Sequence, residues 1–219
     1  MKKDYILFDL DGTLTDSGEG IMKCVQYALE EAGITEDDEA VLKKYIGPPL
    51  VDSFQKVHGL TQEQALRAVA KYRERYNTKG IYENVMLPGM KECVAKVSQA
   101  GKKIALATCK PELFTDRILE YFGLTEYFDV VVGSIDVTRK YKAQVIEEVF
   151  VRLAQLDKNF TKERAIMVGD RKDDVNGAKQ TGIECVGVRF GFAEEGELEA
   201  AGADYIVETP EELAEFLCR

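Results

Sequence analysis

The sequence predicts an α/β protein: a doubly wound parallel sheet of Rossmann-like type, with a small helical bundle inserted near its start. Three observations lead there. Short apolar runs alternate with helical periodicity through most of the 219 residues, the pattern of βαβ units. Residues 16–85 interrupt that alternation with helical stretches alone. Several of the apolar runs stop abruptly at polar residues capable of chemistry, and ligands of open α/β sheets bind at the carboxyl ends of strands.

The first strand, 5–8, is Tyr5-Ile6-Leu7-Phe8, and it stops at Asp9-Leu10-Asp11-Gly12-Thr13. Residues alternate faces along a strand, so Asp9 and Asp11 start on the same side while Leu10 turns away. Gly12 lets the chain bend sharply. Two carboxylates held together repel, and a divalent cation removes the cost of burying them. Oxygen-only ligands favour Mg²⁺. In the same geometry one carboxylate can attack a phosphorus while its neighbour carries a proton. A lone Asp-x-Asp would be no more than an acidic strand end.

Residues 16–85 read as helices over 20–32, 36–45, 50–58 and 62–78. Linkers fall near Asp16-Ser17-Gly18 and between Asn84 and Gly89, where Pro88-Gly89 marks a turn. The domains expected are therefore an α/β core of 1–15 with 86–219, and a helical unit of 16–85. An insertion at this point is expected to lie over the strand ends as a lid.

The remaining strands are placed at 103–107, 129–132, 165–168, 185–188 and 205–207, with helices at 90–99, 112–121, 143–154, 173–180 and 211–217. Gly101, Gly123, Gly182 and Gly202 stand where helix C-caps belong.

Three of these strand ends add to the Asp pair. The second runs into Thr108, a hydroxyl beside a backbone N–H, with Lys110 adjacent and Pro111 opening a helix whose N-terminus favours an anion. Taken alone, Thr108 reads more simply as a cap. The third leads through Gly133-Ser134-Ile135-Asp136-Val137-Thr138-Arg139-Lys140-Tyr141-Lys142 to a helix from about Ala143. A lysine there opposes the helix dipole, unless its ammonium reaches into a site. One of Lys140 and Lys142 is solvated on this reading, and Lys142 is favoured for the site. The fourth ends in Gly169-Asp170-Arg171-Lys172-Asp173-Asp174. Asp170 is placed for a metal, Asp174 faces back from the first helical turn, and Asp173 suits the helix dipole.

Composition narrows the classes. With 45% hydrophobic and 31% charged residues the chain is ordinary for a globular protein. A formal charge of −10 argues against nucleic acid or an anionic membrane as partner. No apolar stretch reaches a membrane span, and Met1-Lys2-Lys3-Asp4 enters a strand without a signal-peptide core. Five cysteines without C-x-x-C spacing suggest free thiols in a reducing cytoplasm; Cys109, following a strand, is the one to watch. His58, the single histidine, excludes multi-histidine zinc sites and is the sole base for any Ser-His-Asp arrangement.

Together these motifs resemble the haloacid dehalogenase-like superfamily of phosphohydrolases, in the branch of phosphoglycolate phosphatases, β-phosphoglucomutases and 5′-nucleotidases. Asp9-Leu10-Asp11-Gly12-Thr13 matches the first motif, Thr108 the second, Lys142 or Lys140 the third, and Gly169-Asp170 with Asp174 the fourth. The match spans the chain, including a helical cap with Ile46-Gly47-Pro48-Pro49-Leu50. Arg139-Lys140-Tyr141-Lys142 lacks the Lys-Pro of many relatives, which leaves the choice of lysine open.

The resemblance implies Asp9 as nucleophile, Asp11 as general acid and then base, Thr108 with backbone N–H groups on phosphate oxygens, and Lys142 offsetting their charge. It implies Mg²⁺ held by Asp9, the Asp11 backbone carbonyl, Asp170 and Asp174 through water. The function expected is hydrolysis of a small phosphorylated metabolite, a nucleoside 5′-monophosphate or phosphoglycolate, by a monomer or weak homodimer. A phosphosugar mutase is the alternative. A non-enzymatic phospho-acceptor switch is disfavoured by the helical insertion.

Overall fold

The computed structural model describes residues 3–135 and 138–219. Met1-Lys2 and Asp136-Val137, which belong to two of the stretches quoted above, lie outside the described residues. In chain order the first elements are β1 (Tyr5–Phe8), β2 (Thr15–Asp16), α1 (Gly18–Glu31), α2 (Glu39–Leu42), α3 (Leu50–His58), α4 (Gln62–Arg75) and β3 (Val85–Met86). Then follow α5 (Met90–Gln99), β4 (Lys103–Pro111), α6 (Glu112–Phe122), β5 (Val130–Ser134) and α7 (Lys142–Leu156). The chain ends with β6 (Ala165–Gly169), α8 (Lys172–Thr181), β7 (Glu184–Val188), α9 (Glu197–Ala201), β8 (Tyr205–Val207) and α10 (Pro210–Leu217). These elements divide into two compact units, Met1–Thr15 with Met86–Arg219, and Asp16–Val85.

The first unit is built on a six-stranded sheet of order β5-β4-β1-β6-β7-β8, parallel in every pair. Strands covered by helices on both faces need apolar side chains on both faces. Tyr5, Ile6, Leu7 and Phe8 are accordingly all buried. One face packs Leu7, Ala107, Val132 and Met167 against Val145 and Val149 of α7 and Val175 of α8. The chain starts in the middle, builds outward through β4 and β5, then returns to the other side of β1 for β6, β7 and β8. That reversal makes a topological switch point between β1 and β6, where open α/β sheets leave a crevice.

The second unit holds α1 to α4. Val25 and Leu29 of α1, Phe54 of α3 and Val69 and Tyr72 of α4 are buried. The Tyr45 and Phe54 rings meet edge-on with centroids 4.9 Å apart. Thr61 starts α4 with a capping box to Gln64, and Gly59 ends α3 in the left-handed conformation.

Several boundaries differ from expectation. The helix expected over 36–45 is a four-residue helix and one 3-10 turn, because the Asp38 side chain accepts the Ala40 N–H and starts the helix late. The helix expected to 78 ends at Arg75 and continues as a π turn, Tyr76–Gly80. β2 and β3, two residues each, pair into a small sheet that two-residue segments cannot signal in a sequence. Pro111 is not the first helical residue. It closes β4 in an extended conformation at the N-cap of α6, because the strand runs on past Ala107.

Candidate active site

Parallel strands end at one edge, so β1, β4, β5 and β6 deliver their following residues to the same rim. Asp9 extends β1 by one step, its N–H donating to the Val168 carbonyl of β6 at 2.9 Å. Gly12 then turns the chain at φ +82°, and a Cβ there would stand 2.1 Å from Asp170 Oδ2. Only glycine tolerates both the backbone angle and the approach. The first and fourth acidic stretches therefore touch.

Asp9, Asp170 and Asp174 bring carboxylate oxygens within 4.8 Å of one another, and all three residues are buried. Lys142, the first residue of α7, is buried with them. Its Nζ lies 2.8 Å from Asp9 Oδ1 and 2.7 Å from Asp174 Oδ1, and it donates to the Ala107 carbonyl at 2.9 Å. Both Asp170 oxygens and the second Asp174 oxygen are held from outside the cluster. Thr13 Oγ1 donates to Asp170 Oδ1 at 3.2 Å and the Phe192 N–H to Asp170 Oδ2 at 2.7 Å. The Arg171 N–H donates to Asp174 Oδ2 at 3.0 Å.

Burial pushes the Asp9 carboxyl up from 3.8 to about 6, against the pull of Lys142. Burial, then the charges of Asp174 and Asp9, raise Asp170 well above the usual carboxylate range. Burial opposes the Lys142 charge, but Asp174 and Asp9 outweigh it and hold the ammonium well above its ordinary value. Three carboxylates against one ammonium leave two negative charges in a dry place, which costs heavily. A divalent cation supplies the complement, and an all-oxygen donor set suits Mg²⁺. Asp9, Asp170 and Asp174 thus fit such an ion.

Asp11 stands apart from that cluster. Both its carboxylate oxygens take Lys110 Nζ, at 2.8 and 2.7 Å. Thr108 is buried, and its hydroxyl accepts the Lys110 N–H at 3.2 Å rather than capping α6. Of the two lysines left open, Lys142 joins the carboxylates. Lys140 donates its backbone N–H to Gln144 Oε1 and lays its ammonium over the Tyr141 ring. Asp173 is exposed on the first turn of α8. The Cys109 thiol is pushed up to about 12 by burial and stays protonated. His58 belongs to the helical unit, where Tyr45 Oη meets its Nδ1 at 2.6 Å and Glu36 its Nε2 at 3.3 Å.

Three contributors escape sequence reasoning. Lys110 looks like one more surface lysine, although it follows Thr108 at a strand end. Thr13 lies inside the first motif but carries no separate signal. Phe192 acts through its backbone N–H, which no side-chain pattern reveals; the neighbouring Gly191, whose Cβ would meet Asp170 Cβ at 2.4 Å, is the one trace of it.

Comparison with known proteins gives a consistent picture. Residues 6–188 match the family profile described as haloacid dehalogenase-like hydrolase. A 5′-nucleotidase of Pseudomonas aeruginosa is 41% identical over 197 residues, covering 89% of this chain and 86% of that protein. Tyrosine-protein kinase PtkA of Mycobacterium tuberculosis is 36% identical over 188 residues, covering 85% of this chain and 62% of PtkA. The crystal structure of a predicted phosphatase from Clostridium acetobutylicum superposes with a TM-score of 0.93 at 39% identity, covering 99% of both chains.

Proposed function

The chain belongs to the haloacid dehalogenase-like hydrolase family of phosphatases, and from that premise we propose a Mg²⁺-dependent phosphomonoesterase working through an aspartyl-phosphate on Asp9. The observation that carries this reading is the buried Asp9-Asp170-Asp174 cluster with its single Lys142, set at the switch point beside Asp11. A charge-deficient, oxygen-lined crevice suits phosphoryl transfer, which needs positioning and charge stabilisation more than elaborate covalent chemistry.

In the first step an oxygen of ionised Asp9 attacks phosphorus, the bond to the leaving oxygen breaks, and protonated Asp11 gives that oxygen its proton. In the second, ionised Asp11 takes a proton from water, the hydroxide attacks phosphorus, and the Asp9 carboxylate is released. Lys142 neutralises charge shared by Asp9 and the phosphoryl group. The Thr108 hydroxyl and the N–H groups from Leu10 to Gly12 hold phosphoryl oxygens. Asp9, Asp170 and Asp174 would hold Mg²⁺, which would supply positive charge to offset the repulsion between an anionic ester and an anionic nucleophile.

Nucleoside 5′-monophosphates are the first substrates to test, because the relative at 41% identity is a 5′-nucleotidase; 2-phosphoglycolate is the second. The test is phosphate release from a panel of metabolite phosphates with Mg²⁺, with EDTA, and with Asp9→Asn. We expect release from at least one member, lost in EDTA and abolished in Asp9→Asn while that variant stays folded. Release persisting in Asp9→Asn would sink the mechanism. A hexose phosphate in the panel distinguishes a mutase, which would interconvert isomers instead of freeing phosphate. PtkA supplies a second reading, transfer to a tyrosine hydroxyl, and ATP with a tyrosine peptide tests it.

A further inference from the structure

The Asp11–Lys110 pair has a geometry that the two steps above do not by themselves require. One ammonium takes both oxygens of the carboxylate, and the two side chains are 12% and 5% exposed. Burying a lysine is costly unless its partner is well aligned. The fold builds an irregularity to achieve it. Ala107 of β4 pairs with Val132 of β5, but Pro111 pairs with Ser134, so β4 spends extra residues over a short stretch of β5. Bulges of this kind re-aim side chains next to active sites. Within this one the Thr108 hydroxyl fixes the Lys110 backbone. The rim therefore sorts three of its four carboxylates between two lysines: Lys142 joins Asp9 and Asp174, Lys110 holds Asp11 apart from the three-carboxylate cluster, and Asp170 takes Thr13 and the Phe192 N–H instead.

Resting on the phosphomonoesterase reading, we propose that Lys110 is a positioning residue for the proton-transfer step. It grips the ionised Asp11 by both oxygens, the form that takes a proton from water in the second step. When Asp11 is protonated on one oxygen Lys110 holds it by the other, so that the carboxyl group keeps its rotamer, faces the leaving oxygen and does not swing toward the other acidic groups. Lys110 itself needs no contact with substrate. A misaligned proton donor loses most of its effect.

The choice of leaving group isolates this role. p-Nitrophenolate departs without a proton, whereas an alkoxide needs one. For Lys110→Met, kcat on the alkyl phosphate that the wild type hydrolyses fastest should fall about 10²-fold, with KM within about twofold. On p-nitrophenyl phosphate the loss should be under about fivefold. In an Asp11→Asn background, Lys110→Met should add no further loss, since residues acting as one unit are not additive. Equal losses on both esters, or a full additional loss in the Asp11→Asn background, would overturn the proposal. If Lys110→Met does not fold, Lys110→Arg reads the same split, and losses equal on both esters there overturn it too. A wild type inactive on every ester removes the phosphomonoesterase reading itself, whereas an active wild type without the split removes this role alone.

Discussion

Gly177 lies against the stem of Lys142 so closely that a Cβ there would stand 2.5 Å from Lys142 Cγ and 2.8 Å from its Cβ. A helix-interior glycine costs stability, and here its bareness gives the buried ammonium room to reach two carboxylates. Gly177→Ala should displace Lys142. Overpacking of this kind costs roughly 1–3 kcal/mol, and displacement of a charge in the site should lower kcat about 10- to 100-fold. Denaturant unfolding and steady-state kinetics check this; unchanged kcat would show that Lys142 accommodates the methyl.

Lys142 and Lys140 should separate cleanly. Lys142→Met leaves Asp9 and Asp174 without their common partner, and removing one member of a buried pair costs about 3–5 kcal/mol. Phosphatase activity should be lost with it. Lys140→Met, at a half-buried position just before α7 and outside the carboxylate cluster, should stay within about 0.5 kcal/mol of wild type. Comparable effects from the two variants would contradict the site geometry.

The metal-free protein should lose stability as pH rises. The folded Asp9 carboxyl, pushed up by burial from 3.8 to about 6, keeps a proton that the unfolded chain has already released. Its contribution is fully present below about pH 4 and is lost as pH climbs through about 6. Melting temperature in EDTA should therefore fall across that window, and Asp9→Asn should flatten part of the slope. Saturating Mg²⁺ should restore stability above it, since an ion that binds only the folded state stabilises by mass action. A melting temperature in EDTA that rises through the window would contradict the burial of this carboxylate.

Thiol chemistry should single out Cys218. It is exposed, whereas Cys24, Cys93 and Cys185 are buried. Burial pushes the thiols of Cys93 and Cys109 up to about 12, and thiolate is the reactive form. Ellman's reagent should titrate one thiol promptly in the native protein, and Cys218→Ser should remove it. Fast reaction of Cys109 would mean that its strand end opens readily.

Much of this was legible in the chain because parallel sheets translate directly into sequence. A strand buried on both faces must be a short apolar run, as β1 and β6 are, and the edge strand β8, though partly exposed, is a short apolar run as well. The carboxylates were legible because Asp9 and Asp170 follow such runs without a break. Pro111 closes a strand rather than opening a helix because the two elements meet there: β4 continues through a bulge whose register depends on β5, a partner distant in sequence. The helix within 36–45 starts later than its periodicity suggests for a local reason, the Asp38 cap.

Residue type and order determined the architecture, the insertion and the acidic rim by themselves, since periodicity and turn chemistry act over a few neighbours. Which lysine serves which carboxylate was decided by tertiary structure alone. Lys142 rather than Lys140 enters the cluster because α7 begins at that residue and Gly177 of α8 leaves space for it. Lys110 reaches Asp11 because β4 and β1 are adjacent in the sheet. Charges separated by dozens of residues meet only when strands pair, and that proximity determines how burial and mutual repulsion set their protonation.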